Sequence, residues 1–256
     1  MSRELSSVLS AVGSENLPGA VVRGDAATLR RLERAVELLV RCDDAACVAL
    51  AQRIADAFAA RFDESSVRAA RLSGLVLEAQ AQFDAALALY ERVALAHAPS
   101  VTAAPLVGRQ AAVLRHLKQF GACVALLNSQ LAVLPCDVAA WRALLSVTLE
   151  LHHWAHARHC VEQLLVLQTP QSDFALAILY ADLLATLGDV PLAKQYYVVA
   201  LDLAPTSPRA AYGLHYCLSV LPKRSAADDT LLRFVTRTIA KQLHGKSALS
   251  LYNAPA

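Results

Sequence analysis

A repeat of about 35 residues constrains this chain more than any single motif in it. In the stretch LGDVPLAKQYYVVALDLAPTSP, Leu187 to Pro208, a Gly-Asp turn signal leads into a helical run that carries Ala193, Tyr197 and Ala200 and stops at Pro205. Spacings of four and three place those side chains on one helix face. A small residue, an aromatic and a second small residue, closed by proline, form the pattern of the second helix in a tetratricopeptide-type pair. The small side chains admit a neighbouring helix, the ring fills the gap, and proline ends the helix. The ladder recurs upstream as Ala86, Tyr90 and Val93 before Pro99, as Cys123, Leu127 and Gln130 before Pro135, and as Ala157, Val161 and Leu164 before Pro170. The anchors Ala86, Cys123, Ala157 and Ala193 stand 37, 34 and 36 residues apart, and the four prolines 36, 35 and 35 apart. The repeat class has a period of about 34.

The first helices agree with this register. Gly74, Ala111, Leu145 and Ala181 each fall twelve positions before an anchor, and Trp141 sits where such repeats favour an aromatic. Leu145 fits poorly, since a bulky residue there should push its helix pair apart. The expected fold is all-α, a tetratricopeptide-repeat (TPR) α-solenoid of antiparallel helix pairs packed through Gly74, Ala86, Tyr90, Trp141, Ala157, Ala193, Tyr197 and Ala200. The expected organisation is a flexible arm at 1–24, the helical array at 25–221, an amphipathic capping helix at 222–247 and a flexible tail at 248–256.

Composition narrows the function classes. Hydrophobic residues make up 56% and charged residues 18% of the chain, against roughly 25% charged in soluble domains. Alanine-rich helices account for part of that excess, and a surface covered by partners accounts for it equally well. The most apolar window, FALAILYADLLATLG, is broken by Asp182 short of the roughly 18 residues a membrane span needs, and the first 25 residues hold no apolar core of signal-peptide length. The six cysteines form no CxxC pair and fall in part at apolar helical positions, the pattern of reduced structural thiols. A net charge of +2 argues against a nucleic-acid partner. One basic stripe stands out: Arg233, Arg237 and Lys241 at spacings of four on the terminal helix, opposite Leu232, Val235, Ile239 and Leu243. It reads as the solvated face of a cap, with contact to anionic headgroups or an acidic partner as the other reading.

Catalytic signals are weak. His152, His156 and His159 in LHHWAHARHC could share a helix face near Cys160. His152, however, falls in a turn, the other two fall at outward positions, and no carboxylate stands at HExxH spacing. Neither a phosphate-binding glycine loop nor a GxSxG elbow is present. The chain is therefore read as a non-enzyme without metal or cofactor. What remains is surface. The first helices of such an array line a concave groove for peptides or helices, and in register the groove should present Arg71, Leu75, Arg109, Arg142, Ser146, Ile178 and Asp182. Leu75 and Ala112 stand where a carboxylate clamp for chaperone tails would want asparagines.

Three segments, RLSGLVLEAQAQFDAALALYERV, DVAAWRALLSVTLELHHWAHARHCVEQLLVLQTP and LGDVPLAKQYYVVALDLAPTSPRAAYGLHYCL, resemble in order and separation the family of the second subunit of the ER membrane protein complex. The resemblance rests on Arg71 and Gly74, Phe83-Asp84, Ala140-Trp141, the Ala157 to Glu162 helix with its internal cysteine, and Ala211-Tyr212-Gly213-Leu214 behind the last repeat. It covers roughly residues 43–218 and departs from the family at Leu145, around Ala55 to Phe62 and in the alanine- and arginine-rich terminal helix. It implies a peripheral scaffold on the cytoplasmic side of the endoplasmic reticulum membrane. Such a scaffold would grip cytosolic segments of membrane-spanning subunits and hold a second soluble subunit, in a complex that inserts tail-anchored and multi-pass proteins. Membrane contact would be indirect and the subunit would not be a homo-oligomer. A different cytosolic TPR adaptor for peptide tails of a chaperone or trafficking assembly is the alternative.

Overall fold

Twelve α-helices and no strand occupy the described residues of the computed structural model, which are 21, 25–42, 44–63, 65–97, 103–168, 174–221 and 224–244, with side chains described as far as 240. The helices are α1 Ala26–Leu39, α2 Ala45–Phe62, α3 Val67–Ala79, α4 Phe83–Ala96, α5 Ala104–His116, α6 Phe120–Val133, α7 Val138–Glu150, α8 Trp154–Leu167, α9 Phe174–Thr186, α10 Val190–Leu203, α11 Pro208–Val220 and α12 Ala226–His244. The fold is the all-α, tetratricopeptide-type array of helix pairs that the repeat predicts. Of the expected end segments, the arm (residue 21 aside) and the tail lie outside the described residues, as does the side chain of Lys241.

The helices start and stop for local reasons. Asp25 and Asp44 accept from the backbone N–H groups of Thr28 and Ala46 at 2.8 and 3.0 Å, and Asp137 accepts from Ala139 and Ala140. Each satisfies donors that a helix N-terminus leaves unpaired. Ser225 and Asp228 exchange bonds as a capping box at α12, with the Ser225 N–H reaching Asp228 at 2.9 Å and the Asp228 N–H reaching Ser225 Oγ at 3.2 Å. Within each pair one turn recurs. Gln82, Gln119, His153 and Asp189 donate their N–H groups to Leu77, Leu114, Thr148 and Leu184, each at 2.9 Å, so the residue before each takes a positive φ. Those residues are Ala81, Lys118, His152 and Gly188, at φ 59°, 59°, 57° and 89°. This is the Schellman closure, which ordinarily selects glycine; here glycine appears once in four. His152 therefore lies in a turn, as its position in the repeat predicts.

The chain divides into two compact units, Met1–Ala143 and Leu144–Ala256, with the division inside α7. In the first unit, consecutive helices pack from α1 to α6, and α3 also packs on α1 and α5. In the second, α9, α10, α11 and α12 pack consecutively, α8 packs on α9, and α9 also touches α11. The anchors Ala86, Cys123, Ala157 and Ala193 have no exposed surface, and neither does Tyr90. Tyr197 and Ala200 are likewise buried, as is Leu145, while Trp141 is half-buried and donates its indole N–H to the Pro135 carbonyl at 2.8 Å. Burial pushes the thiols of Cys160 and Cys217 up to about 11, so both are neutral, packed side chains at physiological pH.

Two glycines mark where a tyrosine lies directly on a helix backbone. A Cβ built on Gly74 would stand 2.2 Å from the ring of Tyr90, and one on Gly213 would stand 2.3 Å from the ring of Tyr197. At Gly108, in α5, nothing lies within 4 Å of such an atom. Opposite signs follow for the same substitution. Gly108→Ala should stabilise by about 0.5–1 kcal/mol, the ordinary helix-propensity gain. Gly74→Ala should lower the thermal midpoint despite that gain, because the Tyr90 ring is fully buried and cannot swing aside. Calorimetry of the two variants, and of Gly74→Ala in a Tyr90→Ala background where the penalty should vanish, checks the account.

Candidate functional site

Among the described residues, ion pairs tie one first helix to the next in three places, α1 to α3, α3 to α5 and α9 to α11. In the first unit, Arg68 pairs with Glu33, and Arg71 reaches Glu33 at 3.7 Å and Glu37 at 3.2 Å, tying α3 to α1. One pair of helices further on, Glu78 of α3 accepts the hydroxyl of Tyr90 at 2.7 Å and one edge of the Arg109 guanidinium, through Nε at 3.2 Å and through Nη2. A single carboxylate thus joins α3, α4 and α5. The second unit repeats the device with other residues: Asp182 of α9 accepts the hydroxyl of Tyr197 on α10 and pairs with Arg209 on α11.

The physical requirement is the same in both places. A buried tyrosine contributes a large apolar body but keeps a hydroxyl that needs a partner. A carboxylate supplies the acceptor, and a guanidinium offsets the charge with bidentate geometry in the first case. Burial, followed by the hydrogen bond and the charge of the carboxylate, raises the ionisation of Tyr90 and of Tyr197 far above the phenolic range. A third tyrosine, Tyr180, donates to Glu162 at 2.9 Å and is pushed up to about 12, again mainly by burial. All three are hydrogen-bond donors at any physiological pH.

These bonds change the reading of the groove. Leu75 and Ile178, expected on an open face, are corrected to the packed interior, with 9% and 4% of their surfaces exposed. Each lies on a first helix, α3 or α9, that packs on the first helix following it, α5 or α11. Arg71, Arg109 and Asp182 are held in the ion pairs just described, where they join helices of the same unit. Arg142 is exposed near the end of the first unit, and Ser146 is half-buried in the second. The carboxylates Glu33, Glu37 and Glu78 escaped the sequence reading. Their signal was available, since Glu37 and Glu78 precede Arg71 and Arg109 by 34 and 31 residues, close to one repeat.

Elsewhere in the first unit a cleft of about 590 Å³ opens between α4 and α6 over α5, with Leu87 and Leu95 on one wall, Leu126 and Val133 on the other, and Gln110 in its lining. The Gln110 carbonyl oxygen is buried without a hydrogen-bond partner. Among the described residues no group of three His, Cys, Asp or Glu side chains is placed to hold a metal ion, and no helix is long and apolar enough to cross a membrane.

The chain is similar to the ER membrane protein complex subunit 2 of Xenopus tropicalis, 30% identical over 167 residues that make up 63% of this chain and 54% of that protein. It is similar to the protein of the same name in Dictyostelium discoideum, 30% identical over 174 residues, 66% of this chain and 52% of that one. The chain spans about half the length of the curated relatives it matches. No family model matches it. Among solved structures, one described as MamA RS-1 ArsTM double mutant superposes with a TM-score of 0.55 at 13% identity, covering 72% of this chain and 97% of that one. A second, the crystal structure of MamA protein, gives 0.54 at 12% identity over 75% and 98%. At such identities the likeness is one of fold.

Ion pairing also holds the terminal helix. Lys194 of α10 reaches Asp228 at the start of α12 at 2.8 Å, and Ser225 donates twice to the same carboxylate. Lys194 first, then the N–H and hydroxyl of Ser225, bring the Asp228 carboxyl from 3.8 down to about 2. A carboxyl lowered in the folded state stabilises it above the unfolded value, and that contribution is lost as pH falls through the folded one. Between pH 4 and 2, wild-type urea midpoints should therefore fall more steeply than those of Asp228→Asn. At pH 7 the variant should be the less stable of the two.

Proposed function

We propose that the chain is a non-catalytic scaffold subunit of the ER membrane protein complex, related to its subunit 2. It would bind cytosolic segments of membrane-spanning subunits and a second soluble subunit, at the cytoplasmic face of the endoplasmic reticulum membrane. Through them it would support insertion of tail-anchored and multi-pass proteins. The observation that carries the reading is the 30% identity to subunit 2 of two distant organisms across about two thirds of this chain. The fold supports it, because stacked helix pairs present long faces suited to peptides and helices rather than an enclosed site for chemistry.

Arg71, Arg109 and Asp182 contribute by holding first helices together, so the faces they align matter more than their own charges. Arg142 is the groove residue most open to solvent and is proposed to meet a partner directly. The wide cleft of the first unit and its apolar walls add a second surface of the kind that partners cover.

Affinity purification of the tagged chain from detergent-solubilised cells tests the reading, with the co-purifying chains identified by mass. A stable set of membrane-spanning subunits with one soluble partner is the expected result, and Arg142→Glu should reduce its recovery while leaving the helical content unchanged. Recovery of chaperones or vesicle proteins alone would overturn the role.

A further inference from the structure

The first helices α3, α9 and α11 have equal length and, aligned residue for residue, bury the same third, fourth and tenth positions. Their fifth positions are Arg71, Ile178 and Tyr212, and their ninth are Leu75, Asp182 and Tyr216. On α3 and α9, which have a following first helix in their own unit, these positions are buried or bonded: Ile178 and Leu75 are interior, Asp182 receives Arg209 from α11, and Arg71 pairs with Glu33 and Glu37 of the preceding first helix α1. On α11 the same positions are open. Tyr212 is 48% exposed, Tyr216 is 52% exposed, and Val220 one turn further on is 49% exposed. Spacings of four make them a single stripe. Two half-exposed aromatics and a valine in line are a concentration of apolar surface that interface cores favour.

Chemistry along the stripe specifies what fits. Glu78 and Asp182 on α3 and α9 each clamp an arginine of the next first helix. At the corresponding places α11 has Ser219 and Tyr216, and the helix contains no carboxylate at all. No carboxylate on it could receive an arginine arriving in the way Arg109 and Arg209 arrive. We propose that the Tyr212, Tyr216 and Val220 face of α11 seats one apolar α-helix of a partner chain, in the position a following first helix would take. That helix would carry leucine- or methionine-like side chains at spacings of three and four and no cation at its centre. It would continue the helix-on-helix interface that already joins α9 to α11. The proposal rests on the scaffold reading for the partner's source but not for the geometry of the seat.

The test places the photoreactive residue p-benzoylphenylalanine at Tyr216 of the full chain, and at exposed Asp202 as control, with irradiation in intact cells and sequencing of the linked peptide. A single helical peptide from another chain, apolar at spacings of three and four and linked from 216 but not 202, is the expected result. The double variant Tyr212→Ala, Tyr216→Ala should stay folded with wild-type helical content, because neither ring belongs to the buried core, and lose about tenfold in recovery of that chain, as truncating interface hot spots does. Links to a second copy or to lipid, links no stronger than those from 202, or unchanged recovery with the double variant would overturn the seat. A proper link from 216 to a helix outside any endoplasmic reticulum assembly would leave the seat standing and overturn the proposed role. If the chain recovers the expected subunits without a link at 216, only the seat fails.

Discussion

A buried tyrosine hydroxyl is the constraint around which two of the helix pairs, α3 with α4 and α9 with α10, are arranged. The ring of Tyr90 lies against the backbone of α3 at Gly74, where no Cβ fits, and its hydroxyl must still find an acceptor away from water. Glu78, one turn along the same helix, provides it. The acid then requires a cation, and Arg109 brings one from α5. One aromatic packing decision on the second helix thus dictates a carboxylate on the first helix and an arginine on the next. Tyr197, Asp182 and Arg209 reach the same outcome with the glycine, Gly213, now on the following first helix. The two triads differ in register, so the array conserves a physical arrangement rather than a fixed set of positions.

Features that follow from period alone were legible before any coordinates. The anchors Ala86, Cys123, Ala157 and Ala193 are spaced by the repeat and are all fully buried. Small side chains at fixed intervals in a helical run can mean little else. The hairpin turns were less legible, because three of the four left-handed residues are Ala81, Lys118 and His152, and only Gly188 advertises itself. The hydrogen bonds of the Schellman closure outweigh the steric cost of a Cβ there.

The candidate site was the least legible part, for a reason of geometry. Whether the fifth or ninth residue of a first helix faces water depends on whether another first helix lies over it, and the helix's own sequence does not report that. Ile178 and Tyr212 share a register and are equally plausible interface side chains, yet one is interior and the other half-exposed. Likewise Arg71 and Arg109 look like ligand-binding arginines until Glu37 and Glu78 are seen to hold them. Of the groove read from sequence, the two apolar members are interior, Arg142 is exposed and Ser146 is half-buried.

Hydrogen exchange of the Glu78→Gln variant, followed by mass spectrometry against wild type, tests the central claim most directly. If one carboxylate joins three helices, amides of α3, α4 and α5 should lose protection together and to a similar extent, while those of α9 to α11 stay unchanged. Loss confined to α3, or no loss at all, would contradict the claim.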